Sequence, residues 1–466
     1  MTPLRLLLPD GVDASAAPLL VGRALRAFAD GYMAVLLPAY LLAIGLGTLD
    51  VGIVATATML GSALATIAVG AWGHRFRSSV LLRNAALLMA LTGVAFAGLS
   101  SFWPLLVVAF VGTLNPSSGD VSVFLPLEHA RLAACARGHA RTALFARYSV
   151  LGAVCAAFGA LAAALPGWLV GRGVASLTAL RAMFVLYAAI GLVVWWIYRR
   201  PAHSPESDPE TSAPAPLGAL AAAVPDALSR VGVAPLDALR AMFVGYGAIG
   251  LAVWLLYRRL PAGRDDAGSA APAAPLGPSR AVVVRLAALF SVDAFAGGLV
   301  VNSLLALWLF ERFGFSLTQA AAFFFWTGLL SAASQLAAPR VAARIGLLNT
   351  MVFTHLPANV CLVLAALAPT LPFALALLFI RSALSQMDVP TRTAYVMAVV
   401  TPAERTAAAS FTAVPRSLAA ALSPTLSGAL LAAGWIALPL VGCGVLKIAY
   451  DLTLWRAMRQ VRLDGA

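Results

Sequence analysis

Apolar runs long enough to cross a bilayer recur from one end of this chain to the other. They fall near 19–45, 50–72, 80–99, 102–127, 143–166, 179–198, 238–257, 283–310, 317–338, 350–368, 371–390, 406–432 and 434–455. A helix needs about 20 such residues to span the hydrocarbon core. In lipid, a segment must satisfy its own backbone N–H and C=O groups, so runs of this kind are helices. A soluble domain is roughly 45–50% apolar and about 25% charged. Here 61% of residues are hydrophobic and 11% charged, with a mean hydropathy of +0.89. The expected fold class is therefore an all-α polytopic membrane protein embedded in the lipid bilayer.

The net charge of +13 does not point to nucleic acid. The basic residues, all arginine except Lys447, cluster in short loops between apolar runs. Orientation in the bilayer and contact with anionic lipid heads account for them. Arg75, Arg77 and Arg83 follow the second run, and Arg131, Arg137 and Arg141 the fourth. Arg199 and Arg200 close the sixth, and Arg456, Arg459 and Arg462 the last. The alternate loops 45–50, 99–104 and 368–372 are almost free of positive charge. By the positive-inside rule both termini and the central loop are cytoplasmic, in a bacterial inner membrane. No signal peptide is expected at the short N-terminus.

Cytoplasmic termini require an even number of spans, and the runs number thirteen. A tandem repeat resolves this. Residues 159–200 and 218–259 are identical at 29 of 42 positions, LTALRAMFVLYAAIGLVVWWIYRR being followed by LDALRAMFVGYGAIGLAVWLLYRR. We expect the first copy (179–198) to take the sixth position, and the second (238–257) to be a supernumerary hydrophobic helix. The expected domains are a six-helix bundle at 1–200, a cytoplasmic linker with the duplicated helix at 201–280, and a second six-helix bundle at 281–466. The linker flanks are rich in Pro, Ala, Ser and acids, a linker composition.

Cys135, Cys155, Cys361 and Cys443 are scattered and read as small packing residues. The histidines show no metal-ligand spacing, and no nucleotide-binding loop is present. No metal, cofactor or enzymatic activity is expected.

Twelve spans divided six and six, with a long central linker, resemble the major facilitator superfamily over nearly the whole chain. That family carries G-x-x-x-D-R-x-G-R-R after its second span. Here Gly70 and Arg75 match, while His74 stands in place of the acid. A second copy follows the eighth span, where Arg344 corresponds to Arg75 and Gly346 lies two residues on. The resemblance implies two bundles related by a pseudo-two-fold axis and a gating role for these loops. The family's fifth-helix antiporter signature is incomplete: Gly152 and Gly159 are present without the proline.

Ionisable residues inside membrane spans are expensive and point to a functional site. Asp30 and Asp293 lie near the middle of the first and seventh runs, which in the resembled fold line the central cavity. A partly desolvated carboxylate there could exchange protons near neutral pH. The plainer alternative pairs Asp30 with Arg23 or Arg26 on the same helical face. Asp120 lies in a polar segment, NPSSGDVS, inside the fourth run. In the tenth, Arg381, Ser385, Asp388 and Arg392 form one helical stripe. Arg381 needs a carboxylate or an anionic substrate, and Asp293 or Asp30 is its expected partner in at least one transport state. Arg147 and Arg416 are further buried-charge candidates, and Asn302 and Gln386 could orient substrate.

The resulting expectation is a monomeric secondary active transporter that works by alternating access and exports a small organic molecule in exchange for protons. The rivals are an importer or uniporter on the same scaffold, and a non-transporting membrane sensor or assembly factor whose charges are structural.

Overall fold

The computed structural model describes residues 12–13, 15–72, 78–117, 124–135, 138–199, 277, 279–400 and 404–459. The second repeat copy at 238–257 and most of the linker lie outside the described residues. Sixteen helices are described: α1 (Ala16–Ala43), α2 (Thr48–Trp72), α3 (Ser78–Gly98), α4 (Phe102–Val111), α5 (Phe124–Ala134), α6 (Gly138–Ala162), α7 (Leu165–Val170), α8 (Ser176–Arg199), α9 (Arg280–Gly298), α10 (Asn302–Phe313), α11 (Leu317–Ile345), α12 (Leu347–Ala366), α13 (Leu371–Leu384), α14 (Asp388–Ala398), α15 (Arg405–Ala432) and α16 (Leu438–Met458).

These fill twelve span positions, six in each half. Among the described residues, ten segments are long and apolar enough to cross a membrane. α4 with α5 makes the fourth position and α15 the eleventh. The seventh span is α9 with α10 and the tenth α13 with α14. The fourth, seventh and tenth spans are thus each interrupted, at 112–117, 299–301 and 385–387. Such breaks free backbone groups, which membrane proteins tolerate where the segment lines an interior rather than lipid. α8, built from the first repeat copy, occupies the sixth position and packs on α3 and α1.

The turns between spans are short and locally determined. Gly314 ends α10 with φ 60°, a left-handed conformation that glycine takes without a Cβ clash. Ser316 then caps α11: its hydroxyl accepts from the Gln319 N–H, while the Gln319 side chain accepts from the Ser316 N–H, a reciprocal capping box.

Within the first half, α1 crosses α6 at backbone contact. A Cβ on Gly159 would stand 1.9 Å from the Phe28 carbonyl oxygen, and one on Gly31 would stand 2.0 Å from that of Ala156. Small residues let membrane helices approach this closely, and dispersion then holds them together. The Gly152–Gly159 spacing read from the sequence belongs to this crossing.

The two halves meet chiefly along α2–α15 and α6–α11. Gly52 lies against Pro424 and Gly428, where a Cβ would come within 2.6 Å of the Pro424 carbonyl oxygen. The Thr425 N–H and hydroxyl donate to the Thr56 hydroxyl at 2.9 and 2.8 Å. Across α6 and α11, Gly328 packs on Ala157, and the Phe158 and Phe325 rings stand 5.3 Å apart. Gly52, Gly428 and Phe158 all sit toward the membrane face opposite the chain termini. On the terminus side, a cavity of about 450 Å³ lies along α6, lined by Leu20 of α1, Arg147 and Leu151 of α6, and Leu336 of α11 from the second half.

Candidate functional site

Four spans of the second half carry polar side chains to one buried place. Asp293 of α9 accepts from Lys447 Nζ of α16 at 2.5 Å and from Arg392 Nη1 of α14 at 3.3 Å. Arg392 also lies 3.2 Å from Asp388, one turn back on its own helix, and its guanidinium stands 5.7 Å from the Phe290 ring centroid. Asp293, Asp388, Arg392 and Lys447 are all buried. Two carboxylates therefore face two cations, which is the pairing that buried charge requires. Nearby, His355 Nδ1 of α12 lies 2.9 Å from Asp451 of α16, and the Asn359 side chain donates to Asp451 at 3.1 Å. Asp388 with Arg392, Lys447 with Asp451, and His355 with Asn359 are each four residues apart. Each pair thus presents one helix face to the cluster.

The first half has its own cluster, centred on Glu128 of α5. The Glu128 side chain is fully buried and takes both carboxylate oxygens to Arg26 Nη2 of α1 at 2.5 Å. The Tyr148 and Tyr198 hydroxyls donate to the same carboxylate. The Arg26 guanidinium also covers the Phe124 ring at 3.9 Å, a cation–π contact. Gly22 makes room for this arrangement, since a Cβ there would collide with the Tyr198 hydroxyl.

Asp30, one turn beyond Arg26, is 6% exposed and accepts no hydrogen bond among the described residues. Arg23 and Arg26 are near enough to act on it electrostatically, but Arg26 spends its hydrogen bonds on Glu128. Arg23 instead lies over the Tyr148 ring at 5.2 Å, in the space left by Gly152.

In this structure neither expected carboxylate meets Arg381. Asp293 is taken by Lys447 and Arg392, and no carboxylate pairs with Arg381 among the described residues. The reason is geometric. The break at 385–387 separates Arg381 on α13 from Asp388 on α14, and Lys447 reaches Asp293 from α16. Arg147 is exposed and lines the 450 Å³ cavity. Arg416, Gln386 and Asn302 are half-buried, Asn302 being the first residue of α10 after the break in the seventh span. Asp120, His74 and Arg75 lie outside the described residues, while Gly70 falls within α2. Arg344 is exposed near the end of α11, and Gly346 follows with φ 85°.

Sequence reasoning did not assign Glu128, Tyr148, Tyr198, His355, Asn359, Lys447 or Asp451. Their signal was present. Lys447 and Asp451 are opposite charges four apart in the last apolar run, and Glu128 follows the fourth run directly.

Two six-span bundles, each with a charged interior and with a cavity lined from both, are the build of a membrane solute carrier. Comparison with known proteins agrees. The sequence model described as Major Facilitator Superfamily matches residues 19–235. An uncharacterized membrane protein of Saccharomyces cerevisiae is 23% identical over 445 residues, covering 92% of this chain and 91% of the yeast protein. Among solved structures, a bacterial homolog of the human lysosomal transporter Spinster, in an inward-facing and occupied conformation, has a TM-score of 0.64. It is 15% identical, with 97% of this chain and 98% of that one covered. A D-xylose–proton symporter also has a TM-score of 0.64, at 14% identity, covering 94% of this chain and 97% of its own. At these identities the structural likeness is one of fold. The sequence likeness to the major facilitator superfamily thus covers residues 19–235, just under half of the chain, and over the remainder the likeness to these transporters is one of fold.

Proposed function

We propose that this protein is a monomeric secondary active transporter that exports a small organic molecule in exchange for protons, with Asp30 as the proton-binding group. The observation that carries this reading is the Asp30 carboxylate, 6% exposed and without a hydrogen-bond donor among the described residues. An ionised carboxylate taken from water without such partners is costly. Asp30 therefore holds a proton when closed off and gives it up where water reaches it. Proton occupancy then differs between the two access states, and only such a difference can bias their equilibrium. Asp293 is a less mobile proton site, because Lys447 and Arg392 hold it as an anion partner. Its cluster would fix the geometry of the seventh, tenth and twelfth spans around the solute.

The arginine-rich loops support cytoplasmic termini, so the cavity on the terminus side would load from the cytoplasm of a bacterial cell. Residues 201–280 would form a cytoplasmic linker, with 238–257 supernumerary to the twelve-span bundle.

The deciding experiment is flux in proteoliposomes under an imposed pH gradient, using a panel of small organic solutes that includes benzoate. Wild type should move a solute against its gradient when protons run the other way. Asp30→Asn should abolish or uncouple that flux, and Asp293→Asn should impair it. Full coupled transport by the double variant would sink the proton-site reading. Flux that ignores the gradient would identify a uniporter, and folded protein with no flux for any solute would favour the non-transporting rival.

A further inference from the structure

We propose that the second half holds a binding site for an organic carboxylate, with Arg381 as the residue that takes the anionic group. This deepens the transport reading by naming the class of solute, and rests on it only for the claim that the bound anion is carried.

The argument begins with charge balance. In the second half Arg392 and Lys447 are matched by Asp388 and Asp293, and His355 is matched by Asp451. Arg381 is left over. Its Nε is buried with no hydrogen-bond partner, and Cys443 of α16, a thiol and not a carboxylate, is the neighbour that acts on it. The side chain as a whole is half-buried. Among the described residues no hydrogen bond is made by its terminal amino groups, so the space around them is not claimed by an internal partner.

That space is inside the bundle and not lipid. Along α13 the face bearing Ala374, Leu377 and Ser385 is buried, and Arg381 shares it. Phe373 and Ile380, 50% and 49% exposed, mark the outer face. An unmatched guanidinium at membrane depth is expensive, and arginine is the cation whose planar fork best fits a carboxylate through two parallel hydrogen bonds.

The surroundings also define the rest of the ligand. Gly442, the chain neighbour of Cys443, packs against Leu299 at the break in the seventh span. Leu299, Val300 and Val301 are all apolar there, and Leu377 and Leu378 flank Arg381 on α13. Cys443 also neighbours the Lys447–Asp293 pair, whose charges are already matched, so Arg381 offers one unmatched cation beside an apolar break, which fits a small carboxylate on a hydrophobic body better than a polyanion or a sugar.

Benzoate is the probe, with benzamide as its neutral match, and the readout is the thermal unfolding of purified full-length protein in detergent. Benzoate should raise the Tm of wild type by a few degrees, and benzamide should not. Arg381→Gln should abolish the benzoate shift without lowering the Tm of the ligand-free protein, because no internal partner is lost. Arg381→Lys should keep part of the shift. The proposal is overturned if benzamide matches benzoate, if the shift survives Arg381→Gln, or if both variants unfold earlier than wild type without ligand, which would mark Arg381 as structural. Benzoate binding without coupled flux would refute transport and leave this site standing. Coupled flux of an uncharged solute, with no benzoate shift, would refute the site and leave transport standing.

Discussion

Asp293→Asn is the perturbation whose consequence the structure specifies most fully. The substitution keeps shape and removes charge. Lys447 Nζ, 2.5 Å from the carboxylate in wild type, is then left with a neutral amide. Arg392 keeps Asp388 at 3.2 Å, so the damage falls mainly on the lysine. Breaking a buried pair by removing one partner costs about 3–5 kcal/mol, because the other charge stays buried and uncompensated. Lys447→Met alone is milder, since Asp293 retains Arg392 at 3.3 Å, and a loss of about 1–3 kcal/mol is expected. The double variant leaves Arg392 and Asp388 as a balanced pair. Replacing a buried ion pair by apolar groups is often close to neutral, so most of the single-variant loss should be recovered. The assay is reversible unfolding in mixed micelles, followed by tryptophan fluorescence and analysed as a double-mutant cycle. A coupling energy of at least about 3 kcal/mol is expected. A cost below about 1 kcal/mol for Asp293→Asn, or strictly additive losses in the double variant, would refute the charge-matching argument.

Three further outcomes can be checked. Glu128→Gln should cost roughly 3 kcal/mol by stranding Arg26, against about 1 kcal/mol for Tyr198→Phe, in the same unfolding assay. Thr56→Cys with Thr425→Cys, in a background lacking the four native cysteines, should form a disulfide under oxidant, because the wild-type hydroxyls are only 2.8 Å apart. The cross-link should stop flux until it is reduced, and undiminished flux through fully cross-linked protein would show that this face need not open. Deletion of 201–259 should leave a protein that inserts and unfolds like wild type, as membrane fractionation and thermal melts would report. A variant that fails to insert would mean that the second repeat copy is needed.

The bilayer made the fold readable. Because each span must satisfy its own backbone, it leaves a long apolar signature, and twelve positions with α8 as the sixth could be read from runs and arginine loops. Asp30, Asp293 and Asp388 stood out as acids within apolar runs. Their partners did not. Arg26 reaches Glu128 rather than Asp30, four residues away on its own helix, and Lys447 reaches Asp293 from a helix 154 residues later. Such choices depend on helix rotation and on breaks such as that at 385–387, which one-dimensional spacing does not encode. Glu128 and Asp451 were obscured by lying near the ends of their runs, where polar residues are ordinary. Gly152 and Gly159 were visible as a motif fragment. That they bring α6 against the Arg23 guanidinium and the Phe28 backbone became apparent only once the helices were crossed.

The charge clusters also bear on how easily the molecule can change shape. Arg26 and Glu128 close within the first half, and Asp293, Arg392, Lys447, Asp388, His355 and Asp451 within the second. Among the described residues each of these ion pairs therefore closes within one half. The seam between them is made of glycine and alanine contacts, a few rings and a threonine pair. Parting it separates none of these ion pairs and strands none of these charges in lipid. In the proposed transport cycle each bundle would turn as a solid piece against a low-friction bearing, whose tilt would answer to something as small as one proton or one solute.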